Sequence, residues 1–252
     1  MLHASSLRPD TRRVLERLSG RPDIEGFTLI GGTALALRHG HRESEDIDLV
    51  WTAGELPRAV VRRIVEELPE QGPAVDYIPK LQKDLAENDG VYLADHQQDW
   101  LVDGVKVTFY SPEERNRKIV MEDSPEPFGH LTVASDEALF KLKSAVLLDR
   151  STSRDLFDLW YMCTTQDRTV GQILANMREW DRHQTVDMHL ARIAPAAFRS
   201  LDPLFTTRLA GAPSGPEALL REMKSLVDGH RRFLAKQAAL ATGIAGAGTQ
   251  RS

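Results

Sequence analysis

Apolar positions recur along this chain with two periods, and the change from one to the other divides it. In the first half, short alternating or continuous apolar runs read as strands. They fall at Phe27–Ile30, Asp46–Trp51, Ala74–Ile78, Gly90–Ala94 and Gln98–Tyr110, the last split by the hairpin signal Asp103-Gly104. Along Asp46–Trp51, Asp46, Asp48 and Val50 face one way and Ile47, Leu49 and Trp51 the other. Three segments have helical spacing instead. Thr11–Ser19 lines up Val14, Leu15 and Leu18, with Asp10 as its cap and Gly20 as its stop. Thr33–His39 ends at Gly40. Pro57–Leu68 opens on proline and aligns Val60, Val61, Ile64 and Leu68.

The stretch "MEDSPEPFGH" (Met121–His130) is rich in turn formers and marks a boundary. Residues 1–125 are expected to form an α/β domain and residues 126–252 a helical one. Helices are predicted over Asp136–Leu148, Arg154–Cys163, Gly171–Trp180, Thr185–Ile193 and Pro216–Lys236. The last carries Leu219, Leu220, Met223, Leu226, Val227, Phe233 and Leu234 on one side. The glycine-rich tail, residues 240–252, is expected to fray. The fold class is therefore a mixed α/β (α+β) sheet domain followed by a helical domain.

Composition narrows the function classes. A net charge of −5 argues against a chain coated in basic charge for nucleic acid, while leaving room for a local basic groove. Scattered candidates for such a groove are Arg12, Arg13, Arg17, Arg62, Arg63, Arg115, Arg117, Lys118, Arg231 and Arg232, each read first as ordinary solvated surface charge. Cys163 is the only cysteine, which excludes an internal disulfide and a cysteine zinc site. The opening "MLHASSLRPD" lacks the apolar core of a signal peptide. No apolar run approaches the roughly 20 residues of a membrane span. The expected location is cytoplasmic, with no membrane partner.

Two constellations carry candidate chemistry. The first is Gly31-Gly32-Thr33 between a strand and a helix, then Asp46 and Asp48 on the next strand. A helix N-terminus presents unpaired N–H groups and positive dipole charge to a phosphate, and glycine lets the phosphate approach the backbone. Thr33 can cap the helix or bond a phosphate oxygen. Asp46 and Asp48 project from one face about 6.5–7 Å apart along the strand. Hard oxygen ligands at that reach suit Mg²⁺, or Mn²⁺ in its place. Aspartate is poor in strands, and two on one face repel unless a cation compensates.

The spacing itself is informative: Gly-Gly-Thr, twelve residues, then Asp-x-Asp-Leu. It resembles the active-site signature of the DNA polymerase β-type nucleotidyltransferase superfamily. The fuller string "GGTALALRHGHRESEDIDL" is similar to that of the AbiEii/AbiGii-type nucleotidyltransferase toxins, with His41, Arg42 and Ser44 in the family's "GHR-x-S-x-D" run. The second constellation, "FKLKSAVLLDRSTSRDLFDLWYM" (Phe140–Met162), resembles that family's second signature. There Lys143 stands seven residues before Arg150, and Asp155 five after it.

The resemblance implies transfer of a nucleotide from a nucleoside triphosphate to an acceptor hydroxyl, with release of pyrophosphate. Asp46 and Asp48 would hold the metal. Gly31, Gly32, Thr33, Arg42 and Lys143 would bind the nucleotide, and Asp155 would orient a cation or accept a proton. The implied biology is a toxin restrained by a separately encoded antitoxin, acting on an RNA end such as tRNA. Two rivals stand beside it: an antibiotic-type enzyme with a small-molecule acceptor, and a catalytically impaired nucleotide-binding or antitoxin-like module. The second gains from Thr108, a neutral residue where enzymes of this superfamily commonly place a third carboxylate. Two other readings of Thr108 stay open: one metal held by Asp46 and Asp48 alone suffices, or Asp76, Asp99 or Asp155 fills the role.

Overall fold

The computed structural model describes residues 6–78, 92–198, 207 and 209–247. Its strands are β1 (Phe27–Ile30), β2 (Ile47–Trp51), β3 (Val75–Asp76), β4 (Gln97–Val102), β5 (Val105–Tyr110), β6 (Glu126–Phe128) and β7 (Leu131–Val133). They form one mixed sheet in the order β3-β4-β5-β2-β1-β7-β6. The central pair, β1 and β2, is antiparallel, and each has a parallel outer neighbour, β7 and β5 respectively. The helices are α1 (Pro9–Ser19), α2 (Gly31–His39), α3 (Arg58–Glu67), α4 (Glu114–Met121), α5 (Asp136–Val146), α6 (Ser153–Thr165), α7 (Val170–Trp180), α8 (Val186–Ile193) and α9 (Pro216–Ala247). Among the described residues, no helix is long and apolar enough to cross a membrane.

Contacts divide the chain into two units, residues 1–143 with 205–212, and residues 144–204 with 213–252. In the first, strand alternation builds an apolar layer. Phe27 and Leu29 of β1, Ile47 and Leu49 of β2, and Val107 and Phe109 of β5 are fully buried. Phe27 meets Trp51, its register partner, at 5.1 Å between ring centres, and Phe109 edge-on at 5.5 Å. Gly26 has φ +89, and a Cβ there would stand 2.5 Å from the Trp51 ring, so both conformation and space favour glycine.

The second unit is helical. Threonine opens three of its helices: Thr152, Thr169 and Thr185 accept backbone N–H bonds from Asp155, Gln172 and Met188. α9 packs along α6, α7 and α8. Leu219, Met223 and Val227 bury its first turns. Gly171 lets α7 approach α9, since a Cβ there would stand 3.2 Å from the His230 ring.

Several details depart from the sequence reading. α1 starts at Pro9, so Arg8 holds the N-cap position and Asp10 sits in the first turn, paired with Arg13. β6 and β7 lie beyond residue 125, yet β7 pairs with β1 through Thr28–Thr132 and Leu29–Val133. Each has only three residues, too few to show a period, and β6 holds Pro127 at the sheet edge. α4 lies in a segment not read as helix, for it buries only Ile119 and Val120. Gly90 and Val91 of the expected strand at Gly90–Ala94 lie outside the described residues, and Leu93–Asp95 forms a 3₁₀ turn. On α9, Phe233 and Leu234 are exposed rather than facing a core. That helix also continues to Ala247, into the segment expected to fray; residues 248–252 lie outside the described residues.

The β4–β5 hairpin shows how a turn is tied down. Asp103 has φ +47 and Gly104 φ +82, the left-handed pair a two-residue hairpin turn requires. The buried Asp103 carboxylate accepts the N–H groups of Glu70 (3.0 Å) and Gln71 (2.9 Å) and a guanidinium N–H of Arg17 (2.9 Å). Burial pushes this carboxyl up, but the backbone donors and Arg17 outweigh it and hold it below the usual range. The folded form thus releases its proton more readily than the unfolded chain. The resulting stability is complete above the unfolded carboxylate value, about 3.9, and is lost as pH falls through the lower folded one. Asp103→Asn should cost about 1.5–3 kcal/mol at neutral pH. Urea denaturation should show the two proteins converging in strong acid; curves separated equally at every pH would contradict this account.

Candidate active site

β1 runs from Ile30 directly into α2, and no side chain caps that helix. Its first-turn amides therefore lack intrahelical partners and sit at the positive end of the dipole. Each residue of the Gly31-Gly32-Thr33 turn meets a different part of the segment returning to β2. Gly31 has φ +73, and a Cβ there would stand 2.5 Å from Asp48 Oδ2. A side chain at Gly32 would collide with Arg42 Nη2 and come within 3.3 Å of Ser44 Oγ. Thr33 is buried; its hydroxyl donates to the Asp46 carbonyl and lies 2.9 Å from Ser44 Oγ. From the other side, Thr11 of α1 donates to the Glu45 carbonyl at 3.0 Å, and Arg8 pairs with the Glu45 carboxylate at 2.7 Å.

Asp46 immediately precedes β2 and Asp48 is its second residue, both half-buried. The period of two puts both carboxylates on the face opposite the buried Ile47 and Leu49. Register sets a row across the sheet: Ile30 opposite Asp48, Asp48 beside Thr108, and Thr108 opposite Asp99. The position read as the missing third carboxylate is thus the direct neighbour of Asp48. Asp99 stands one strand farther out on the same face, accepting from Gln97 Nε2 at 3.0 Å and pairing with Lys106 Nζ at 3.0 Å. Asp76 pairs with Trp100, so it belongs to the opposite face, and its carboxylate caps the N–H of Ile78 at 3.1 Å.

The electrostatics follow. Burial pulls the Lys106 ammonium down, but Asp99, aided by the charges of Asp48 and Asp46, outweighs it and holds Lys106 above its ordinary value. Burial, and after it the Asp48 charge, pushes the Tyr110 hydroxyl up. Among the described residues no three His, Cys, Asp or Glu side chains converge as a metal-holding group, so Asp46 and Asp48 stand as a pair. Burial pushes the Cys163 thiol up to about 12, which keeps it protonated and unsuited to nucleophilic attack at neutral pH.

The first unit thus gathers Gly31, Gly32, Thr33, Arg42, Asp46 and Asp48. Arg42 is buried, with Nη1 donating to the Glu43 carbonyl at 3.0 Å. The His41 carbonyl accepts from Thr207 at 2.7 Å. Lys143 is buried on α5, at the end of this unit's main segment. Asp155 belongs to the second unit, where its carboxylate accepts from Thr152 (2.7 Å) and from Arg150 Nε (3.1 Å). Asp158 is fully buried on the same helix. Several basic candidates for an acceptor groove are ion-paired in place: Arg13 with Asp10, Arg17 with Asp103, Arg63 with Asp23, and Arg231 with Asp187. The bracing by Thr11 and the pairing of Asp99 with Lys106 were not read from the sequence. Alternation along β4 and β5 was the available signal for the second.

An uncharacterized protein of Aquifex aeolicus (strain VF5) is 26% identical over 160 residues, which span 62% of this chain and 66% of that relative's length. The crystal structure of JHP933 from Helicobacter pylori aligns over 93% of this chain and 94% of its own, at 16% identity and a TM-score of 0.46. A second H. pylori structure, described as a candidate nucleotidyltransferase, aligns over 90% and 94% at the same identity and TM-score. Residues 13–238 match the family described as nucleotidyl transferase AbiEii toxin, type IV TA system. With nearly the whole chain inside that match, this protein belongs to the AbiEii family of nucleotidyltransferase toxins.

Proposed function

We propose that the chain transfers a nucleotide from a nucleoside triphosphate to an acceptor hydroxyl, with an RNA end such as tRNA as the acceptor class. The observation carrying this reading is the close apposition of the uncapped α2 N-terminus and the Asp48 carboxylate across Gly31. It sets an anion-binding backbone beside an acidic pair on one small surface. Such a surface suits a triphosphate and a divalent cation together, since phosphate and carboxylates repel without a cation between them.

The residues present fit Mg²⁺ or Mn²⁺. Asp46 and Asp48 supply hard oxygen donors on one face, and the missing Cβ of Gly31 leaves the Asp48 carboxylate its room. When bound, the metal polarises phosphoryl oxygens and stabilises charge in the transition state. The protein's own groups hold the triphosphate. The N–H groups of Gly31, Gly32 and Thr33 meet phosphate oxygens, while the Thr33 hydroxyl braces the backbone of Asp46. Arg42 adds positive charge against Gly32, and Lys143 serves as a further phosphate ligand. In the reaction the acceptor oxygen bonds to the α-phosphorus, the bond to the leaving oxygen breaks, pyrophosphate departs and the hydroxyl proton passes to a base. Within the helical unit, Asp155 orients Arg150. Membership in a toxin–antitoxin family supports a separately encoded antitoxin as partner.

Two tests follow. With each nucleoside triphosphate labelled at the α-phosphate, Mg²⁺ and total cellular RNA, label should enter RNA. Asp48→Asn should slow this about 10³-fold, the loss of roughly 4 kcal/mol of transition-state stabilisation. Label that enters an aminoglycoside but not RNA would reassign the acceptor. Absence of label in any acceptor, with wild type and variant alike, would sink the transferase reading. Separately, Gly31→Ala forces a side chain into left-handed backbone at about 1–2 kcal/mol and displaces the Asp48 carboxylate. Its melting temperature should fall only modestly while kcat drops on the order of 10²-fold; unchanged kcat would remove Gly31 from the site.

A further inference from the structure

The geometry points to Lys106 as a built-in counter-cation that takes the place of a second divalent ion, so that the acidic face binds one metal rather than two. This rests on the reading of Asp46 and Asp48 as metal ligands. Two-ion phosphoryl transfer places its cations about 3.5–4 Å apart, held by several carboxylates. On this sheet the strand position beside Asp48 is Thr108, whose hydroxyl brings no charge. The next carboxylate in the row is Asp99, two strand spacings from Asp48, or about 9.5 Å between backbones. Asp99 is thus no direct neighbour of Asp48, and its carboxylate is already held by Lys106.

Lys106 occupies the interval. It shares a face with Thr108 on β5, and its Nζ lies 3.0 Å from Asp99 Oδ2. The ring of Tyr77 lies 5.7 Å from the same nitrogen, and the Tyr77 N–H bonds the Asp99 carbonyl at 2.8 Å. The ammonium is thereby held from two directions, by a carboxylate and by an aromatic face. Its side chain remains about one-third exposed, on the side where Asp48 and Asp46 project. Three carboxylates, one ammonium and one divalent cation are together neutral. A second divalent ion would leave an excess of positive charge while Lys106 stays in place.

Mn²⁺ titrated alone, with bound metal separated from free by its EPR signal, tests this on the whole chain. Wild type should bind one tight Mn²⁺ and Lys106→Met two, because Asp99 is released as a ligand. Lys106→Arg, which keeps the charge, should bind one. Lys106→Gln serves as a second neutral variant if the methionine protein melts at a markedly lower temperature. Two tight ions in wild type, or one in both neutral variants, would overturn the counter-cation role. Asp46→Asn/Asp48→Asn separates the two claims. Loss of the wild-type ion there upholds the metal pair, whereas unchanged Mn²⁺ binding indicts that pair and the proposal resting on it.

Discussion

The candidate site depends on one close approach, between the turn that ends β1 and the segment that leads into β2. Gly31 meets Asp48, Gly32 meets Arg42, and Thr33 meets the backbone of Asp46. A side chain at either of the first two places would displace the Asp48 carboxylate or the Arg42 guanidinium, and the third place uses a hydroxyl donor. Because β1 and β2 pair antiparallel, the end of one strand must face the start of the other. The helix N-terminus and the acidic pair are therefore neighbours by topology. Side chains only refine their distance.

This explains why acidic residues can be tolerated on central strands. Asp46 and Asp48 repel one another, which disfavours the strand that carries them. The opposite face offsets that cost. Ile47, Leu49, Phe27 and Phe109 are wholly buried, and at about 25 cal/mol per Å² of apolar surface each large side chain contributes roughly 1.5–3 kcal/mol. The same strand is thus anchored on one side and strained on the other. A site on such a strand has little freedom to shift, as catalysis through charge requires.

Much of this was legible because it rests on local rules. The glycine pair, the Asp-x-Asp alternation and the Asp103-Gly104 turn are readable from neighbours alone, and the structure has each where those rules put it. Other features needed partners distant in sequence. Thr33 read as a phosphate ligand or cap, but its hydroxyl turns inward to Asp46, thirteen residues away. β6 fell inside the turn-rich stretch read as a boundary and β7 just past it, because strands of three residues carry too few positions to show a period. Phe233 and Leu234 fitted a helical stripe, yet periodicity says which residues share a face and not whether a partner covers it.

Thr108 shows how register changes the meaning of a single residue. Taken in isolation it reads as a lost ligand, and from that as lost catalysis. In the sheet it lies between Asp48 and Asp99, with Lys106 two residues earlier on the same face. A carboxylate at Thr108 would put three acids on adjacent strands around one ammonium, at about 4.8 Å spacing. The neutral hydroxyl lowers that charge density, while Asp99, one strand farther out, is paired with its own cation, Lys106. The local charge balance is then kept by a different set of residues. A departure from a family pattern at one position is accordingly weighed against the whole row that surrounds it, because electrostatics acts on the sum of charges rather than on each position alone.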